Sequence, residues 1–285
     1  MAVHNYLTTV EELDDALGDP GVCVIDCRFE LLDAAAGKRS YDAGHVPGAV
    51  YADLDKDLAA PVGPSTGRHP LPDALELAET FAGMGIGSSS RVIVYDEGPG
   101  AVAARAWWLL RWLGHDNAAL LDGGFSAWCG AGLPVETATP MIVRGDFAPV
   151  PRDELVLETP EIIAAEDRVG DLRLIDARAS ERFIGAVEAI DTVAGHIPGT
   201  WNLPYLDNVD EGGHWKSPAE IRRRLSEALG EPSGQPWAVM CGSGVTACHL
   251  VIAGLLGGFE EPRVYVGSWS EWISDPSRRI ATGAA

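Results

Sequence analysis

The chain has 285 residues, of which 46% are hydrophobic and 22% charged, and its 42 acidic against 21 basic residues give a formal net charge of -21. The length exceeds one ordinary domain and predicts two. The acidic excess excludes nucleic acid and anionic membrane surfaces as natural partners; no apolar run approaches a membrane span, and the first residues lack the basic-then-apolar pattern of a signal peptide. Cys23, Cys27, Cys129, Cys241 and Cys248 are too sparse, and odd in number, for a disulfide framework, which predicts a reducing, cytoplasmic setting.

In chain order, residues 22–26, 91–95 and 118–121 are short apolar runs rich in Val, Ile and Leu, the pattern of buried parallel strands. Between the second and third, 101–113 reads as a helix ended by Gly114. The stretch 137–157 is rich in Pro and Thr and breaks the periodicity, so a linker is expected at 141–155, between a first domain at 1–140 and a second at 156–285. The pattern then returns. Residues 172–176, 237–240 and 263–266 read as strands, and 245–256 as a helix ended by Gly257.

The return is a repeat. VCVIDCR at 22–28 parallels LRLIDAR at 172–178, and YDAGHVPGAVYADL at 41–54 parallels VAGHIPGTWNLPY at 193–205. RVIVYDEG at 91–98 parallels PWAVMCGSG at 236–244, and LLDGGFSAW at 120–128 parallels VYVGSWSEW at 264–272. Ordered matches at nearly constant offset predict two copies of one α/β fold, each a parallel sheet flanked by helices.

The segment WAVMCGSGVTACHL at 237–250 carries the most chemistry. A buried strand ends, Cys241 follows at once, and a glycine-containing loop leads into a helix. Ligands of open parallel sheets bind beyond the carboxyl ends of the strands. Gly242 and Gly244 let the backbone curl and aim N–H groups inward, and the helix start adds its positive end, a setting expected to favour a thiolate nucleophile. A lone cysteine on a tight turn is otherwise a core residue; here strand end, glycine loop and helix start coincide. Cys248 lies in the apolar stripe of the helix and is expected in the core, as are Cys23 and Cys27. In the first copy the equivalent position is Asp96, which cannot carry sulfur, so that copy is expected to be catalytically inactive.

The repeated Asp-x-Arg, the paired GH-[VI]-PG motifs and the CGSGVTA loop at 241–247 resemble the tandem-domain rhodanese family of sulfurtransferases, over about residues 5–275. The neutral loop is most similar to that of 3-mercaptopyruvate sulfurtransferases, since thiosulfate-preferring members carry basic residues where Gly242 and Ser243 stand. The resemblance implies that Cys241 takes sulfane sulfur from 3-mercaptopyruvate, releases pyruvate, and passes the sulfur to a thiol such as thioredoxin or to cyanide. It implies no metal or organic cofactor. It makes Cys241 and Ser243 catalytic, and it gives Gly242, Gly244, Val245 and Thr246 to the substrate loop.

DARASERF at 176–183 matches the family's D-A-R-x-x-x-R-F, which assigns the donor carboxylate to Arg182. A second arginine some nine residues later is missing from GAVEAIDTVAGH, and Arg105 or another arginine of the first copy is the expected substitute. Ser243, with His45 as an accessory, is implied in protonating the departing enolate; capping the next helix is the alternative for Ser243 and the preferred reading for Thr246. The shared His45 and His196, like the shared Asp26–Arg28 and Asp176–Arg178, also suit a structural job. Most of the nine tryptophans lie on apolar faces and are expected in the core, with Trp269 a candidate for the cleft wall.

Three other readings compete. A phosphatase needs C-x5-R, but Ala247 stands where the arginine belongs and 242–250 contains none. A non-catalytic module would not need an intact cysteine loop. A thiosulfate sulfurtransferase differs only in its donor, and the missing second arginine keeps it open.

Overall fold

The computed structural model describes residues 6–166, 172–232 and 236–283. The chain forms two compact units, one of Met1–Ala60, Pro72–Arg152 and Glu211–Trp215, the other of Pro61–Leu71, Asp153–Asp210 and Lys216–Ala285. The break after Arg152 falls in the proline-rich stretch, but a single cut does not separate the units. Segments 61–71 and 211–215 each belong to the unit built mainly from the other half of the chain.

The first unit holds strands β1 (Leu7–Thr8), β2 (Val22–Asp26), β3 (Val50–Tyr51), β4 (Arg91–Tyr95) and β5 (Ala118–Leu121) in the order β1-β5-β4-β2-β3. All pairs are parallel, with Val22 opposite Arg91 and Asp26 opposite Tyr95. Its helices are α1 (Val10–Ala16), α2 (Ala36–Ala43), α3 (Ala74–Gly83), α4 (Ala101–Trp112) and α5 (Gly124–Gly130).

The second unit repeats this with β6 (Val156–Leu157), β7 (Arg173–Asp176), β8 (Trp201–Asn202), β9 (Trp237–Met240) and β10 (Arg263–Tyr265), in the order β6-β10-β9-β7-β8 and again all parallel. Its helices are α6 (Thr159–Glu166), α7 (Ser180–Phe183), α8 (Pro218–Leu229), α9 (Ala247–Leu256) and α10 (Ser268–Trp272). The central strands are apolar along their length because helices cover both faces, as in other parallel sheets. α9 ends at Leu256 with Gly257 as its C-cap, as expected, and starts two residues later than expected, at Ala247; Gly258, at φ +76°, makes the left-handed turn.

Each repeated motif makes the same local structure twice. Arg28 grips Asp26 through Nε and Nη2 and reaches the Gly44 carbonyl at 2.6 Å; Arg178 grips Asp176 likewise and reaches Gly195 at 2.8 Å. Both pairs are buried, and breaking such a pair costs about 3–5 kcal/mol because a lone buried charge remains. His45 stacks on Tyr41 and bonds its carbonyl through Nδ1, and His196 does the same with Phe183. Their backbones pair antiparallel with Glu136 and Ala281. The two histidines are clasps between a helix and a returning chain.

Candidate active site

Cys241 directly follows β9 and is 2% exposed. The loop after it depends on Gly244, which takes φ +77°; a Cβ there would sit 2.4 Å from the Val266 carbonyl. The left-handed backbone disfavours any side chain there, and the close carbonyl leaves no room for one without a shift of the Val266 backbone. Gly242, Ser243 and Val245 are buried beside Cys241. Thr246 occupies the N-cap of α9, yet its hydroxyl makes no capping bond. The expected cap is therefore absent, and the Cys248 and His249 amides bond instead to the Val245 and Thr246 carbonyls.

A second loop holds the first from behind. Ser268 accepts from the Cys241 amide at 3.1 Å and donates to the Tyr265 carbonyl at 2.8 Å. The Trp269 and Ser270 amides donate to the carbonyls of Cys241 and Gly242 at 3.0 and 2.9 Å. Ser268 is the sole non-glycine residue at positive φ among the described residues, at +54°. Such a conformation costs about 1–3 kcal/mol and persists where surrounding contacts enforce it. Trp269 is fully buried, its indole donating to the Val193 carbonyl with Arg178 stacked over its ring, so it supports the site without lining a cleft.

Segment 61–71 supplies two side chains that sequence reading missed. Ser243 Oγ and His69 Nδ1 lie 2.8 Å apart, and both residues are buried. The histidine paired with the loop serine is thus His69, in place of His45, whose two ring nitrogens face the Tyr41 and Ala138 carbonyls in the first unit. Ser243 makes this bond instead of capping a helix.

The other side chain is Arg68. A Cβ on Gly242 would stand 3.2 Å from Arg68 Nη2 and 3.6 Å from Arg182 Nη1. Two guanidinium groups therefore converge on the residue after the cysteine. The missing second arginine has its counterpart in Arg68; Arg105 is wholly buried in α4 of the first unit, with its guanidinium beside Trp108 and the Leu58 carbonyl. The one hint in the sequence is the long irregular stretch from Ala52 to Asp73, since loops of that length inside compact domains usually carry function.

Carboxylates set the two arginines. Arg182 Nε bonds both Glu188 oxygens at 3.1 Å, and its Nη2 bonds Asp191 at 2.7 Å. Arg68 Nη1 bonds the other Asp191 oxygen at 2.6 Å. Burial pushes the Glu188 carboxyl up, but hydrogen bonds from the Asp191 and Ile190 amides and from Arg182 outweigh it and hold the group below its usual range. Arg68 Nε is buried and finds no acceptor among the described residues. All five cysteines are free thiols, and Cys248 is buried with its sulfur 3.3 Å from the Gly244 carbonyl, as expected of a core residue.

Such a site offers a sulfur nucleophile, a hydroxyl–imidazole pair for moving a proton, and two cations for an anion. The rhodanese-like domain family matches residues 9–131 and 159–275. A probable 3-mercaptopyruvate sulfurtransferase of Pseudomonas aeruginosa is 47% identical over 279 residues, 97% of this chain and 98% of its own. A putative thiosulfate sulfurtransferase of Mycobacterium tuberculosis, SseB, is 38% identical over 98% of each chain. The crystal structure of SseA from Escherichia coli, described as a 3-mercaptopyruvate sulfotransferase, superposes with a TM-score of 0.80 at 30% identity, covering 93% of this chain and 99% of that one. No helix among the described residues is long and apolar enough to cross a membrane.

Proposed function

The chain is a sulfurtransferase belonging to the rhodanese family, and from that premise we propose that it moves sulfur from 3-mercaptopyruvate through a persulfide on Cys241 to a thiol acceptor. The observation that carries this reading is the convergence of Arg68 and Arg182 on Gly242, next to the cysteine. Two guanidinium groups suit a carboxylate-bearing donor, and a neutral loop residue leaves them room.

The chemistry balances with the donor alone. Cys241 thiolate attacks the donor sulfur, an S–S bond forms, and the C3–S bond breaks with its electron pair moving onto the pyruvate enolate. The donor's thiol proton ends on C3 of pyruvate, and the Ser243–His69 pair is suited to relay it. The persulfide anion then stays in the amide-rich loop. An acceptor thiol, with thioredoxin the protein acceptor we favour, takes the outer sulfur as its own persulfide and regenerates the Cys241 thiolate. Cyanide takes it as thiocyanate.

The test is a comparison of kcat/KM for 3-mercaptopyruvate and thiosulfate on one preparation, with mass analysis of the Cys241 peptide. The expected result is a higher value for 3-mercaptopyruvate and a gain of one sulfur atom on that peptide. A higher value for thiosulfate transfers the donor assignment, and sulfur on another cysteine removes Cys241 from its role.

A further inference from the structure

Asp191 is 3% exposed at its side chain and bridges two arginines, Arg68 through one oxygen and Arg182 through the other. In doing so it occupies Arg68 Nη1 and Arg182 Nη2. Over Gly242 lie Arg68 Nη2 and both terminal nitrogens of Arg182, with a Cβ placed there standing 3.6 Å from Nη1 and 3.7 Å from the Asp191-bound Nη2. One carboxylate thus holds each fork by a single nitrogen and leaves Arg68 Nη2 and Arg182 Nη1 to the loop.

Asp191 also changes the charge an incoming donor meets. Arg68 and Arg182 bring two positive charges and Asp191 and Glu188 two negative ones in direct contact; Arg178, 3.7 Å from Glu188, is itself matched by Asp176. The four cancel formally, although the forks still present donors with good geometry. A site of that kind binds by hydrogen-bond direction more than by net field. It suits a donor with one planar carboxylate, whereas a compact dianion gains from net positive charge and finds none.

We propose that Asp191 is the donor-selecting residue of this enzyme, a resident counter-ion that aligns Arg68 and Arg182 over the Cys241 loop and cancels the charge on which a dianionic sulfur donor would depend. It is a positioning residue, acting through the arginines. The inference rests on the sulfurtransferase reading of the Cys241 site.

The experiment measures kcat/KM for 3-mercaptopyruvate and thiosulfate on the wild type, Asp191→Asn, Asp191→Glu and Arg68→Gln, with persulfide formation followed by mass. Asp191→Asn leaves a net positive charge under the loop. Its preference for 3-mercaptopyruvate over thiosulfate is expected to fall about tenfold, chiefly through a lower KM for thiosulfate. Asp191→Glu restores the carboxylate and is expected to recover most of the wild-type preference, though not the full rate. Arg68→Gln makes the site net negative and moves the preference the other way, which reads the same charge should Asp191→Asn fail to fold. A preference that stays within twofold of wild type in the folded variants overturns the proposal. A wild type that forms no persulfide with either donor overturns the underlying functional reading instead, so the two failures are distinct.

Discussion

The same strand, loop and helix occur twice in this chain, and the two copies answer one question differently: what sits among the loop amides. In the first copy it is Asp96, buried at the end of β4, whose carboxylate accepts from the amides of Gly98, Gly100, Val102 and Ala103. In the second, Cys241 stands at the equivalent place, directly after β9. The first copy thus displays what this loop does by geometry, which is to aim amide donors at a carboxyl group built into it. The residue after it is Glu97, exposed and negative, where the second copy has Gly242 beneath two guanidinium groups. The lesson is that the cradle is a property of the fold, and the activity comes from what surrounds it. What the second copy adds is a cysteine in that place, two guanidinium groups beside the loop and a hydroxyl–imidazole pair, the parts that the proposed sulfur transfer needs.

The sharpest way to break the comparison is to exchange the cradle residues. Cys241→Ser is expected to lose sulfur transfer by more than about a thousandfold while the protein stays folded, since no other group replaces the nucleophile. Adding Asp96→Cys to that variant is expected to restore nothing, because Glu97 repels an anionic donor and His69 serves the other loop. A persulfide on the introduced cysteine, seen by peptide mass, would mean that the cradle alone suffices.

Next in size is His69→Asn. It is expected to lower kcat for 3-mercaptopyruvate by about a hundredfold with a small change in KM, as for loss of a proton relay. A changed KM at constant kcat would make His69 a binding residue.

Asp96→Ala removes the built-in anion and leaves buried amide groups without an acceptor. Its expected cost is about 3 kcal/mol of stability, at the large end for one substitution, read by denaturant unfolding, while persulfide formation on Cys241 persists.

The smallest effect is in pH, and the two copies should differ in sign. Burial raises the Asp96 carboxyl above its ordinary 3.8, although the four amides oppose it. A raised folded value means that its contribution is whole below 3.8 and is lost as pH rises through the folded value. Glu188 is lowered from 4.5, so its contribution is whole above 4.5 and is lost as pH falls through the folded value. Stability curves from pH 3 to 7 for Asp96→Asn and Glu188→Gln against wild type should diverge in opposite directions, by about 1 kcal/mol or less each. Parallel curves would remove the distinction.

Much of this was legible in the chain. The central strands, α4, the duplication and the place of Cys241 follow from apolar runs, glycine punctuation and self-similarity, all of which act over a few residues or repeat at a fixed offset. The two-residue edge strands β1, β3, β6 and β8 were not, because so short a segment has no periodicity and is defined by the neighbour it pairs with. Arg182 was reached through a motif, whereas its partners Glu188 and Asp191 lie in a stretch noticed only for lacking arginine. His45 was offered for a proton role because its motif was visible; the structure spends it on backbone carbonyls and brings His69 to Ser243 from 174 positions away.

By itself, then, the sequence determined a duplicated parallel α/β fold with one cysteine on a glycine loop at a strand end, the residue proposed as nucleophile, since local patterning and repetition suffice for that. Only the tertiary structure decided which charges surround the nucleophile. Arg68 and His69 come from an irregular segment whose place depends on the packing of the whole unit, and Asp191 acquires its meaning only when two distant guanidinium groups reach the same carboxylate.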